Sequence, residues 1–307
     1  MKKKKINTEQ FFKENQELGF IVKVLSKAST ADLIDEHKFD NKEFIRLIKH
    51  HRLDSIFLKA VQEQNIKLPN ELKERLEQIN KRNKMRMMKL TAELIRIHKL
   101  FTENGIDYIS LKGPALSQQI YGDYTIRSSR DLDILVKVDD LDKVNSILND
   151  NGYYTDVNNF DNHNKAHHDI SFVNKKLEIQ IEIHTRLFSF DKLYNYSNTE
   201  LFKNKETIIL NNYNISILEK KTNYEYLYIH AQKHSWELFY WITDLIKLGF
   251  NKKELITSFF INQQNNKRKN HFSFLLYTLS LNKSTKHKYN VFAIYFRRFI
   301  NWIKKSK

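Results

Sequence analysis

Residues 129–136 read SRDLDILV, which places two aspartates at the start of an apolar run typical of a buried strand. Successive side chains of a strand point to opposite faces, so Asp131, Asp133 and Leu135 are predicted to share one face. The two carboxylates are then about 7 Å apart, from a rise of roughly 3.3 Å per residue. Two like charges raise each other's pKa and cost stability unless a cation lies between them.

A second strand is predicted over residues 177–184, LEIQIEIH, where apolar and polar residues alternate strictly. One face is core, and the other carries Glu178, Gln180, Glu182 and His184. If this strand lies beside the first, Glu182 approaches Asp131 and Asp133 from the side. Three carboxylates fit a hard divalent cation such as Mg²⁺, and such ions bind phosphates, so a nucleoside triphosphate is the natural substrate class.

A simpler interpretation of the same acidic residues stays open. Asp131 can pair with Arg127 or Arg130 at the start of its strand, while Glu178 and Glu182 face solvent.

Donors suited to phosphate precede the aspartates. Lys112, Gly113 and Pro114 stand at a predicted strand-to-helix turn, where free backbone N–H groups and the positive end of the helix dipole favour an anion. Further donors follow just ahead of the acidic pair; they are Arg127, Ser128, Ser129 and Arg130.

Three regions separate by their hydrophobic periodicity. Residues 1–104 have helical spacing, with a long helix capped by Asn70 and stopped by Gly105. Residues 105–220 have the pattern of a small mixed α/β unit that ends in a hairpin with Asn211 and Asn212 at its turn. Residues 221–307 are again helical, with helices predicted over 222–235, 236–248, 251–265, 268–282 and 287–305. The predicted fold class is α+β, a small mixed sheet flanked by helical regions.

The charge of the chain is strongly positive and unevenly placed. Lys and Arg number 52 against 36 acids, and after Gly249 thirteen basic residues face one acid, Glu254. This excess indicates a polyanionic partner, either RNA or an acidic membrane surface, or else a solvated basic face of a helical domain.

No Cys is present, so disulfides and Cys-ligated zinc are excluded. No stretch has the length of a membrane span, and a cytoplasmic location is expected.

Two groups of histidines could indicate a metal site. His163, His167 and His168 lie in so polar a stretch that an exposed connection is expected. His230 and His234 could bind a metal at i, i+4 spacing, but Lys233 between them is the better functional residue, as a cation reaching a triphosphate. A polar seam against the sheet is the alternative.

Four motifs in this order resemble the bacterial family of uncharacterised nucleotidyltransferases within the DNA polymerase beta-like superfamily. They are LKGPALSQQIYGD, RSSRDLDILV, IEIHTRL and HAQKHSWELFYWITD, between Tyr108 and Gly249. The resemblance implies a palm-like domain in which Asp131 and Asp133 bind metal, Glu182 is the third carboxylate, and Lys112 and Gly113 hold the triphosphate. The chain departs from the family pattern at Pro114 and Arg130.

The resemblance implies nucleotidyl transfer with two Mg²⁺ ions and a nucleoside triphosphate, with ATP expected. The acceptor is either a small hydroxyl compound or RNA. Two other classes remain as alternatives: a glycosyltransferase that holds a sugar nucleotide through Asp-x-Asp, and a binding protein that keeps the fold without the chemistry. The last predicted helix could also lie on an acidic membrane, although packing within its own domain is favoured.

Overall fold

The computed structural model describes residues 15–27, 39–188, 196–234, 236–249 and 256, without the side chains of residues 165, 166, 232 and 233. This part of the chain forms ten α-helices and six β-strands. The helices are α1 (Gln16–Ser26), α2 (Asn41–His50), α3 (Asp54–Glu63), α4 (Asn70–Glu103), α5 (Gly113–Tyr121), α6 (Leu141–Asp150), α7 (Phe160–Ala166), α8 (Asn198–Lys203), α9 (Lys220–Lys233) and α10 (Phe239–Lys247). The strands are β1 (Tyr108–Ser110), β2 (Leu132–Val136), β3 (Asp169–Asn174), β4 (Ile179–His184), β5 (Glu206–Leu210) and β6 (Tyr213–Ile217).

The six strands form one mixed sheet in the order β3-β4-β2-β1-β6-β5. The pairs β2–β4 and β1–β6 are parallel, and the other three pairs are antiparallel. The α+β fold class predicted from the sequence is therefore confirmed. So is the final hairpin, because Asn211 and Asn212 both have positive φ, as a two-residue turn between twisted strands requires.

Helix α4 covers one face of the sheet. Its apolar residues recur every three or four positions, so they form one stripe along the helix, from Met87 through Leu94 to Phe101. This stripe packs in one core cluster with Ile134 of β2 and Ile181 of β4. Near its start the same helix places Leu72 and Leu76 in a second cluster with the N-terminal helices. Burial of the stripe fixes which face of β2 and β4 is left for polar side chains.

The opposite face of the sheet meets helices α1, α2, α3 and α10. Leu135 of β2 lies in the second cluster with the Phe20, Phe44 and Phe57 rings of α1, α2 and α3, and with Trp241 of α10. Strand β2 is thus buried on both faces, and Asp133, on the Leu135 side, is buried as well. Among the described residues, no helix is both long and apolar enough to cross a membrane.

Several local predictions need correction. Asn70 is the first residue of α4 and follows Pro69, so it does not cap the helix, whereas Gly105 ends it with φ of +65° as expected. The connection predicted around His163 contains α7, whose first turn is capped by Asn159, because this side chain accepts the backbone N–H of Asn162. The helices predicted over 222–235 and 236–248 correspond to the observed helices α9 and α10. Those predicted over 251–265, 268–282 and 287–305 lie outside the described residues except for residue 256.

Candidate active site

Asp133 is the centre of a buried polar cluster on the face of the sheet that α4 does not cover. Its Oδ1 accepts a 2.8 Å hydrogen bond from Nζ of Lys112, and Nε2 of His184 lies 3.2 Å from the same oxygen. Only 3% of the Asp133 side chain is exposed. Burial alone would raise the pKa of Asp133, but the Lys112 ammonium and His184 outweigh burial and lower it. Asp133 is therefore held as a carboxylate.

The register of two strands explains the position of Glu182. In the parallel pair β2–β4, Asp133 lies opposite Glu182 and Leu135 lies opposite His184. Residues in register on neighbouring strands point to the same face, so Glu182 and His184 both reach the Asp133 side. Burial and the charge of Asp133 raise the pKa of Glu182 to about 7. The sequence interpretation in which Glu182 simply faces solvent is wrong, because the side chain is only 27% exposed.

Asp131 lies one residue before β2, at the edge of this cluster. Ser129 donates a 3.3 Å hydrogen bond to its Oδ1. Burial and the nearby Asp133 raise the pKa of Asp131, and its charge in turn contributes to the raised pKa of Glu182. Asp131 is thus close enough to interact with both other carboxylates. Arg130, one of the two partners in the simpler interpretation of Asp131, has an exposed side chain, and Arg127 pairs with Asp244.

His184 belongs to the cluster, although sequence analysis did not select it. Ligand atoms of Asp133, Glu182 and His184 all lie within 4.8 Å of one another. Among the described residues, Nδ1 of His184 is buried without a hydrogen-bond partner, so Nε2 is the nitrogen directed at the carboxylates. A signal was present in the sequence, since His184 follows Glu182 by two residues and a strand places both on one face.

This donor set fits a divalent cation. The pocket gathers two carboxylates and an imidazole within reach of one another, with Asp131 beside them, and Lys112 is the cation that contacts Asp133. Carboxylate oxygens favour hard ions such as Mg²⁺, and an imidazole nitrogen is also accepted by Mn²⁺ and related metals. Burial and then the charge of Asp133 raise the pKa of Glu182, and a bound cation would offset that charge.

The turn between β1 and α5 brings Lys112 to Asp133. The backbone N–H of Leu111 donates to the carbonyl of Asp133 at 2.9 Å, which fixes Lys112 next to the carboxylate. Gly113 then starts α5 with φ of +67°, a conformation that residues with a side chain adopt at a cost. Pro114 fits the first turn of α5, where a backbone N–H has no helical partner to lose. The departure at Pro114 is therefore compatible with a regular helix start.

The donors predicted just ahead of Asp131 mostly stabilise the loop itself. Arg127 is buried, and its Nε donates to Oδ2 of Asp244 at 2.7 Å, so this nitrogen is engaged inside the protein. Its backbone N–H donates to Ser117 Oγ. The backbone N–H of Ser129 lies 3.1 Å from Sδ of Met87, and the Ser129 hydroxyl faces Asp131. Ser128 is buried as well.

The motif HAQKHSWELFYWITD, which contains His230, Lys233 and His234, does not form one continuous helix. Helix α9 ends at Lys233 and α10 begins at Phe239, so His230 and Asp244 do not lie on one continuous helix. The His230 ring packs edge-on against Trp241, with centroids 5.3 Å apart, and lies 4.7 Å from the His234 ring. The side chain of Lys233 lies outside the described part of the chain. Its predicted contact with a triphosphate therefore stays a prediction.

A model of the uncharacterised nucleotidyltransferase family matches residues 37–281, about four-fifths of the sequence. The chain therefore belongs to this family, which the order of its motifs had predicted. No curated protein sequence matches the chain.

Three solved structures resemble the chain at low identity. The lincomycin-bound lincosamide antibiotic adenylyltransferase LnuA is 17% identical, with 51% of this chain and 94% of that chain covered and a TM-score of 0.36. An antigenic nucleotidyltransferase-like protein from Paracoccidioides brasiliensis is 17% identical, with coverages of 61% and 91% and a TM-score of 0.38. The antibiotic-resistance factor ANT(2'')-Ia is 11% identical, with coverages of 70% and 97% and a TM-score of 0.33. Since these TM-scores lie below 0.5, the family match alone carries the assignment.

Proposed function

We propose that this protein transfers a nucleoside monophosphate from a nucleoside triphosphate to an acceptor hydroxyl, with release of pyrophosphate and with Mg²⁺ as its metal. The observation that carries the proposal is the register of β2 and β4, which places Asp133 and Glu182 side by side with Asp131 at the edge of the same cluster. Membership of the nucleotidyltransferase family supports it independently.

In this proposal Asp131, Asp133 and Glu182 hold two Mg²⁺ ions. The bound ions neutralise charge on the triphosphate and on the leaving pyrophosphate. Asp133 is suited to this task because Lys112 and His184 keep it ionised. Glu182 would either complete the second metal site or accept the proton of the acceptor hydroxyl.

The β1–α5 turn is the proposed triphosphate site. The start of α5 presents backbone N–H groups and the positive end of its dipole next to Asp131, whose carbonyl oxygen lies 3.5 Å from where a side chain on Gly113 would begin. Lys112 adds a cation at the same point. Lys233, Ser128 and Ser129 remain proposed nucleotide contacts, whereas Arg127 supports the loop from behind.

A cavity at the β3 edge is the proposed place of a small hydroxyl compound as acceptor, although its lining includes none of the three carboxylates. It measures about 260 Å³ and is lined by Tyr154, His163, His167 and Ser171 among others. Ser171 lies opposite Glu182 in the β3–β4 register, so the cavity opens on the sheet face that carries the carboxylates. RNA remains the other acceptor proposed, because the basic residues after Gly249 suit phosphates. Either reaction would take place in the cytoplasm, where triphosphates and Mg²⁺ are available.

The test is incubation of the purified protein with each labelled nucleoside triphosphate, Mg²⁺ and a cell extract. Label on a small molecule or on RNA together with released pyrophosphate is expected, and both should disappear in Asp131→Asn. Transfer to RNA should weaken steeply as salt is added, whereas transfer to a small molecule should change little. Full transfer by folded Asp131→Asn would overturn the mechanism.

A protein that binds nucleotide without transfer is the second candidate. It is favoured by one observation, the direct contact between Lys112 and Asp133, which occupies an oxygen that a metal needs. Binding of a nucleoside triphosphate without pyrophosphate release at any acceptor concentration would support this candidate.

A further inference from the structure

Lys112 lies where a metal ion would bind. Its Nζ is 2.8 Å from Oδ1 of Asp133, and only 13% of the side chain is exposed. The ammonium also stands 5.7 Å from the centre of the Tyr226 ring, so its second neighbour is an aromatic face that attracts cations.

An ammonium and a divalent cation compete for Oδ1 of Asp133. Like charges at contact distance repel strongly in a buried site, where water screens little. A metal that binds Oδ1 of Asp133 is therefore bound more tightly once the ammonium has moved away. The backbone of Lys112 is fixed by the Leu111 hydrogen bond, so only the flexible side chain can turn. The turned side chain of Lys112 then remains beside the start of α5.

We propose that Lys112 is a displaceable counter-ion: it neutralises Asp133 in the metal-free protein, gives way to the divalent cation, and turns to the triphosphate that arrives with the metal. This inference rests on the proposed function of the site. It implies that metal alone binds weakly, since it competes with a built-in cation, and that metal and nucleotide favour each other's binding.

The first experiment measures Mn²⁺ binding without nucleotide, from the loss of the free-ion signal in electron paramagnetic resonance. Lys112→Met should bind Mn²⁺ at least about tenfold more tightly than the wild type, because a buried competing charge is removed. Lys137→Met is the matched control, since Lys137 pairs with Asp107 in a half-exposed position, and it should leave Mn²⁺ affinity unchanged. Equal or weaker Mn²⁺ binding by Lys112→Met would overturn the inference.

The second experiment measures binding of an ATP analogue with a methylene group between the α- and β-phosphates, at saturating Mn²⁺. Lys112→Met should bind the analogue several-fold more weakly than the wild type. The inference predicts tighter Mn²⁺ binding and weaker analogue binding in the same variant. A variant that merely loosened the fold would bind both ligands more weakly. Lys112→Gln, which keeps a polar side chain of similar reach, should show the same two signs and serves if Lys112→Met does not fold.

These measurements separate the inference from the proposed function. If the wild type transfers nucleotide while Lys112→Met and Lys112→Gln gain no Mn²⁺ affinity, only the role of Lys112 fails. If neither the wild type nor the variants bind Mn²⁺, with or without the analogue, both fail.

Discussion

Arg127 and Asp244 form a fully buried ion pair, with Nε of Arg127 2.7 Å from Oδ2 of Asp244. The pair joins the loop that leads into Asp131 to helix α10, and Tyr121 at the end of α5 donates to the other carboxylate oxygen at 2.8 Å. The Arg127 guanidinium also stacks over the Tyr240 ring at 4.8 Å. Three elements around the candidate active site are thus fixed through one carboxylate.

Breaking this ion pair should destabilise the protein severely. Asp244→Asn leaves the buried Arg127 charge without its partner, so the free energy of unfolding should fall by about 3 kcal/mol or more. Urea unfolding followed by circular dichroism measures the loss. The double variant Arg127→Met with Asp244→Leu removes both charges and should recover much of it. A stable Asp244→Asn variant would show that the pair contributes little.

Gly113 should matter for activity and Gly122 for stability alone. The two glycines have nearly the same φ, +67° and +69°, so alanine at either position should cost about 1 kcal/mol of stability. Only Gly113 borders Asp131 and the proposed triphosphate site, whereas nothing lies within 4 Å of a side chain added at Gly122. Gly113→Ala should therefore lower turnover, and Gly122→Ala should not. Equal turnover in the two variants would remove the β1–α5 turn from the site.

His51 should make stability depend on pH. It is buried and accepts the backbone N–H of Phe239 at 3.3 Å, and burial together with the charges of His50 and Arg46 lowers its pKa from 6.5 to about 3. Between these values the unfolded chain binds a proton that the folded chain does not, so stability falls as the pH falls. From pH 7 to pH 5 the wild type should lose about 2 kcal/mol more than His51→Gln does. Urea unfolding at the two pH values measures the difference.

His50→Gln is the control for that measurement, because His50 is exposed beside His51. It should retain most of the pH dependence of the wild type. The account of His51 fails if wild type and His51→Gln lose the same stability.

His184 should orient Asp133. After Nζ of Lys112, Nε2 of His184 is the second contact of Asp133 Oδ1. Removal of a group that holds a metal ligand in place typically changes metal affinity or activity by about 10–100-fold. His184→Phe keeps a ring of similar shape and should lower both turnover and Mn²⁺ affinity. His168→Phe, at the neighbouring ring 5.4 Å away, should have a smaller effect. An unchanged Mn²⁺ affinity in His184→Phe would exclude a role for the imidazole in the site.

The sequence predicted the polar face of β4 because the alternation in this strand is strict. Residues 177–184 alternate at every position, so the face of Glu182 could be predicted, and the parallel register with β2 then places it at Asp133. The role of Arg127 could not be predicted, since its partner Asp244 lies 117 residues away and a local pattern carries no information about that contact. The helix around His163 was missed because a polar stretch of seven residues has no apolar periodicity to reveal it.

His184 was the clearest omission at the site. The alternation had placed it on the face of Glu182, but a terminal histidine of a strand is as compatible with an exposed edge as with a buried cluster. Only the three-dimensional packing shows that His184 is buried, with its side chain beside Asp133. The division into 1–104, 105–220 and 221–307 stays a prediction, and α4 contributes to both core clusters across the first boundary.

The most direct test of the account is pyrophosphate release by Asp133→Asn. This variant keeps the shape of the side chain but removes the charge that Lys112, His184 and the proposed metal share, so release should fall by roughly a thousandfold. Asp139→Asn, an exposed acid just after β2, should release pyrophosphate at the wild-type rate. Wild-type release by a folded Asp133→Asn protein would contradict the central claim that the Asp133 cluster performs nucleotidyl transfer.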